Sequence, residues 1–122
     1  MPEIQGQHII ADDVIASIVM SAATEVKGLY LPSSVANFAE RLAKKQSPKG
    51  IRVEQPEEGV IIDIKVVADY GINIPTAARE LQEKVAGKVT ELTGKNVVAV
   101  NVHVTDINMQ SIPSVDKDPE TD

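Results

Sequence analysis

Two stretches of alternation organise the second half of the chain. Val60, Ile62, Ile64 and Val66 are interleaved with Asp63 and Lys65, and Val98, Val100, Val102 and Val104 with Ala99, Asn101 and His103. A period of two puts each apolar set on one face of a strand and the intervening residues on the other. Between them Ile74, Ala78, Leu81, Val85, Val89 and Leu92 recur at steps of three and four, which predicts a helix over 74–93 closed by Thr93-Gly94. The intervening "DYGINIP" reads as a joint. Gly71 permits a turn with positive φ, and Pro75 fits a first helical turn, where its missing N–H has no partner to lose.

Upstream, "IRVE", "QPEEG" and "VIIDIKVVA" read as a β-hairpin whose loop closes on Gly59. "ADDVIASIVMSAATEVKG" has helical periodicity, with Val14, Ile18 and Ala22 on one stripe and Ile15, Val19 and Val26 beside it. Asp12 and Asp13 suit the positive end of that helix, and Gly28 is its expected stop. Residues 3–10 read as a short opening strand. "LYLPSS" is extended, because Leu31 precedes Pro32. A short helix is expected over 34–45, with Val35, Phe38, Ala39 and Leu42 on its apolar side.

These elements give the order β-α-β-(α)-β-β-α-β. The expected fold class is α+β: a small two-layer sandwich with a mixed sheet and two main helices on one face. The strand–helix–strand unit over 60–104 is expected to be a right-handed crossover between parallel strands. One domain should occupy 1–110, followed by an acidic, Pro-containing disordered tail over 111–122.

Composition narrows the functions open to such a domain. The chain has 122 residues with 43% hydrophobic content, so a core of ordinary size is available without staples. Aromatic residues make up only 2%, namely Tyr30, Phe38 and Tyr70, which leaves few platforms for stacking bases. No cysteine is present, so disulfides, thiolate catalysis and Cys-based zinc sites are excluded. A net charge of −6 disfavours binding of DNA or an anionic lipid surface by the chain as a whole. The apolar runs are too short for a membrane span. The first ten residues lack the basic-then-apolar pattern of a signal peptide.

No catalytic, metal or cofactor site is expected. Tyr70 beside Asp69 could act in a site, but the joint explains the same residues. His8 and His103 lack ligand company at metal-binding spacing. Glu54, Glu57 and Glu58 flank a turn, where water would solvate them, and "TGKN" is a helix exit without phosphate-loop glycine spacing. One charge feature stands apart: Arg41, Lys44, Lys45, Lys49 and Arg52 carry no acid among them in an otherwise acidic chain. Together with Lys65, Asn101 and His103 on the open sheet face, these residues are the candidate partner-binding set. An RNA-binding module using the basic 41–52 segment is the alternative from another class, disfavoured by the charge and the missing aromatics.

From "IIADDVIASIVMSAATEVKGL" through "KGIRVE" to "VVADYGINIPTAARELQEKV" and "VNVHV", the chain resembles the alkaline-shock (envelope stress response, YloU-type) family of Gram-positive bacteria. The carrying residues are Tyr70-Gly71, Ile74-Pro75, Gln82, Val85, Thr93-Gly94 and the strand over 100–104, and they extend to about Met109. The segment 32–46 departs from the Gly-rich stretch often found there in the family. The resemblance implies a non-enzymatic, envelope-stress-related interaction or scaffold protein without cofactors. It would act in the cytoplasm at the inner face of the membrane through protein partners, including an integral membrane relative, and through homo-oligomers.

Overall fold

The computed structural model describes residues 4, 6, 9–32 and 50–109. Its elements are α1 (Asp12–Ala23), β1 (Leu29–Tyr30), β2 (Ile51–Glu54), β3 (Val60–Asp69), α2 (Ile74–Thr93) and β4 (Val97–Asn108). The helix expected over 34–45 and the tail over 111–122 lie outside the described residues.

β3 is the organising strand. Along one edge it pairs in parallel with the whole of β4, and along the other it meets β2 and β1 in turn, both antiparallel. The sheet is therefore mixed, as expected. The hairpin register sets Ile51 against Ile64 and Glu54 against Ile61. At its loop end Gly59 has φ 142°, and a Cβ there would stand 2.5 Å from the Asn96 carbonyl oxygen. Only glycine lets the loop lie this close to the start of β4.

Val60, Ile62, Ile64, Val66 and Ala68 form one buried row on β3, and the helices cover it. Leu81, Val85 and Val89 of α2 are fully buried against it, together with Ile15 and Val19 of α1. Each such aliphatic side chain removed from water stabilises the fold by about 1.5–3 kcal/mol. α2 runs over the expected residues for the expected reasons. Gly71 turns the chain at φ 99°, the Asn73 side chain accepts from Thr76 N–H as N-cap, Pro75 lies in the first turn and Gly94 ends the helix at φ 73°.

Four details differ from the sequence reading. No strand appears among the described residues of 3–10: Ile4 and Ile9 are 96% and 86% exposed. The Ile10 carbonyl accepts from the Gln55 side chain rather than from a ladder. α1 stops at Ala23, before Gly28, because Thr24, Glu25 and Val26 donate their N–H groups three residues back, tightening the chain into turns. Its core stripe is Ile15, Ala16, Val19 and Ala22, while Val14 lies half in water. On α2 the inward small residue is Ala77 rather than Ala78, and Leu92 is 64% exposed.

The fourth difference concerns β4. Its register slips by one residue between Val97 and Ala99 and again between Val104 and Asp106, so Val98 and Thr105 are bulged. Each extra residue inverts the alternation. Val97 and Ile107 therefore face the core along with Val100, Val102 and Val104, while Val98, expected inward, is exposed.

Candidate functional site

The sheet face away from the helices gathers the chain's polar strand residues. The pairing of β2, β3 and β4 sets Arg52, Asp63 and Asn101 in one row and Lys65 beside His103 in the next. Four of the expected partner-binding residues, Arg52, Lys65, Asn101 and His103, thus meet on one surface. Arg41, Lys44, Lys45 and Lys49 lie outside the described residues, as does His8.

Asp63, half-buried at the centre, is absent from the expected set. Its Oδ1 accepts from Asn101 Nδ2 at 2.9 Å and lies 3.5 Å from His103 Nε2. Arg52 turns aside to pair with Glu54 at 3.2 Å. Lys65 has no ion-pair partner among the described residues. Arg52, Asp63, Lys65 and His103, with Gly50 and Thr105, border an open depression of about 540 Å³. Arg52 and Lys65 are its cationic side chains and Asp63 its anionic one. Lys65 can offer a charge-assisted hydrogen bond to a carboxylate or an acidic peptide segment from solvent, and Arg52 can do so on leaving Glu54. Periodicity places Asp63 on this face; its fixing of Asn101 depends on the β3–β4 register, which periodicity does not give.

A second depression, of about 530 Å³, lies between the end of α1 and β1. Met20, Val26 and Leu31 give it apolar walls, and Tyr30 and Asp69 a polar lip. Tyr30 Oη donates to Asp69 Oδ2 at 2.7 Å, and Asn108 Nδ2 donates to Asp69 Oδ1 at 3.3 Å. The hydrogen bond held by the neutral phenol, followed by desolvation and the nearby carboxylate charge, raises the Tyr30 pKa above its ordinary value. Asp69 therefore bridges β1 and β4 through Tyr30 and Asn108. The sequence draws attention to Tyr70 instead, whose side chain is half-exposed.

Elsewhere, Glu25 ties the end of α1 to α2. Lys88 Nζ lies 3.1 Å from Glu25 Oε2 and Lys84 Nζ 3.7 Å from Oε1. The hydrogen bond from Lys88, then its charge, holds the Glu25 carboxyl below its usual pKa. Among the described residues no group of three or more His, Asp or Glu is placed to hold a metal ion. No helix among them is long and apolar enough to cross a membrane.

The profile of the alkaline shock protein 23 family, described as having cell envelope-related function, matches residues 1–109. The chain is 31% identical over 110 residues to the uncharacterized protein YqhY of Bacillus subtilis, covering 87% of this chain and 80% of that protein. It is 32% identical over 104 residues to the uncharacterized protein Spy1614 of Streptococcus pyogenes serotype M6, covering 82% and 86% of the two chains. A stress response regulator gls24 homolog of Streptococcus pyogenes serotype M3 is 34% identical over 107 residues, covering 85% of this chain and 60% of that protein. No solved structure matches the chain.

Proposed function

Because the chain belongs to the alkaline shock protein 23 family, whose function is cell envelope-related, we propose that it is a non-enzymatic scaffold working in the cytoplasm beside the membrane through protein partners and self-association. The observation that carries this reading is the open sheet face. Arg52 and Lys65 border an open depression in a chain of net charge −6, and Asp63 in the same depression holds Asn101 of the neighbouring strand. Lys65, without an ion-pair partner among the described residues, is the cation there for an acidic partner segment to meet. The regulator name carried by the gls24 homologue fits a protein that acts by engaging others. Anchorage at the membrane would then come from an integral partner, since the apolar side chains of α1 and α2 are largely committed to the core.

Affinity capture from cross-linked cells tests the reading. The tagged chain should retain a defined set of envelope proteins, and the R52E/K65E variant should lose them while remaining folded. A parallel variant with Arg41, Lys44, Lys45 and Lys49 reversed in charge reports the share of the basic segment. Equal capture by wild type and both variants would overturn it.

A further inference from the structure

Histidine is the side chain that takes up and releases a proton between about pH 5 and 8, and His103 stands inside the depression of the open face. It is the only histidine among the described residues. Its Nε2 lies 3.5 Å from Asp63 Oδ1, the oxygen that Asn101 Nδ2 also approaches at 2.9 Å. In the parallel register it is level with Lys65 of β3. Arg52 of β2 borders the same depression but is paired with Glu54 at 3.2 Å. Among the described residues, the charged groups facing the imidazole are therefore Asp63 and Lys65 of β3 and, one strand further across, the Arg52–Glu54 pair of β2. On β4 itself Asn101 and Thr105 carry no charge, and Asp106 is level with Val67, beyond Lys65.

With His103 neutral, Lys65 and Asp63 sum to no net charge, and an incoming carboxylate meets repulsion from one as well as attraction from the other. With His103 protonated, the imidazolium pairs with Asp63 and leaves Lys65 to the carboxylate. We propose that His103 is a proton-operated switch on partner binding at the open face, holding an acidic segment when protonated and releasing it when neutral. The inference rests on the open-face reading of the proposed function and supplies its regulation. Asp63 supports the imidazolium and Lys65 opposes it, while the carboxylates of a bound segment add to the support. Proton and segment then favour each other's binding by the same factor. Affinity rises as pH falls through the histidine range and declines as pH rises through it. One unit of charge at about 6 Å from a carboxylate, at an effective dielectric constant of about 40–80, changes affinity by about three- to tenfold.

The test uses the full chain and a fluorescent hexaglutamate peptide, whose carboxylates stay largely ionised above about pH 5.5, in anisotropy titrations at low ionic strength. Wild type should bind about three- to tenfold more weakly at about pH 8 than at about pH 5.5. H103N should bind at the weaker level throughout, and H103K at the stronger level throughout. H8N should keep the wild-type profile, and K65E should weaken binding at both pH values by about tenfold or more. A pH profile that persists in H103N overturns the switch. So does a wild-type affinity that is unchanged between the two pH values while K65E still weakens binding; both results leave the open-face reading standing. Binding that K65E does not weaken, or no binding at either pH, overturns the open-face reading and the switch together.

Discussion

Asn101 donates its side-chain amide to the Asp63 carboxylate at 2.9 Å across the parallel pair of β3 and β4, on the face away from α1 and α2. The bond sets the orientation of Asn101. Replacing Asp63 by Ala removes a charge-assisted acceptor and releases both Asn101 and His103. A loss of about 1–2 kcal/mol in unfolding free energy is expected, read from the urea midpoint at constant slope. No change in midpoint would mean that Asn101 is held by something else.

Leu81 is fully buried on α2 over the β3 row. Leu81→Ala should cost about 2–5 kcal/mol through lost burial and the cavity left behind. Leu92→Ala, further along the same helix but 64% exposed, should stay within about 1 kcal/mol of wild type. Thermal unfolding of the two variants side by side checks the inward stripe.

The two glycines at β3's ends separate strain from collision. A Cβ at Gly71 meets nothing within 4 Å, so Gly71→Ala bears only the cost of φ 99°, about 1–2 kcal/mol. At Gly59 the added Cβ would also press on the Asn96 carbonyl at 2.5 Å and on Val98. Gly59→Ala should therefore be the more destabilising of the pair in urea, and equal costs would contradict the close approach of the hairpin loop to β4.

Two titrations should appear at opposite ends of the pH scale. The Glu25 pKa is depressed in the folded state by Lys88 and Lys84, so its contribution is present above the ordinary value of 4.5 and lost as pH falls through the folded value. The Tyr30 pKa is raised by its bond to Asp69, so that contribution is present below the ordinary value of 10.0 and lost as pH rises through the folded value. Melting temperatures across the pH range should show E25Q flattening the acid limb and Y30F flattening the alkaline limb. Both effects are small because both groups stand in solvent.

Much of this is legible in the alternation itself. The α2 boundaries, the hairpin, the mixed sheet and the buried row on β3 follow from period and turn residues, because each is set by neighbours a few positions away. What escapes is set by distant parts of the chain. "NVVAVNVHV" fits two phases of alternation, and only the ladder to β3 shows that Val98 is bulged and Val97 turned inward. The roles of Asp63 and Tyr30 depend on contacts 38 and 39 residues away. The opening strand fails because Ile4 and Ile9, apolar in sequence, remain in water. Four of the basic candidates, Arg41, Lys44, Lys45 and Lys49, lie outside the described residues, so the open face rests on Arg52, Lys65, Asn101 and His103.

The central claim is that the protein reaches the envelope through a protein partner met by its open sheet face. Vesicle flotation tests it most directly, comparing native envelope vesicles that retain their integral proteins with protein-free anionic liposomes. The wild-type chain should float with the native vesicles alone, and R52E/K65E should stay at the bottom of the gradient with both. Flotation of the wild-type chain with protein-free liposomes, or undiminished flotation of R52E/K65E with native vesicles, would contradict it.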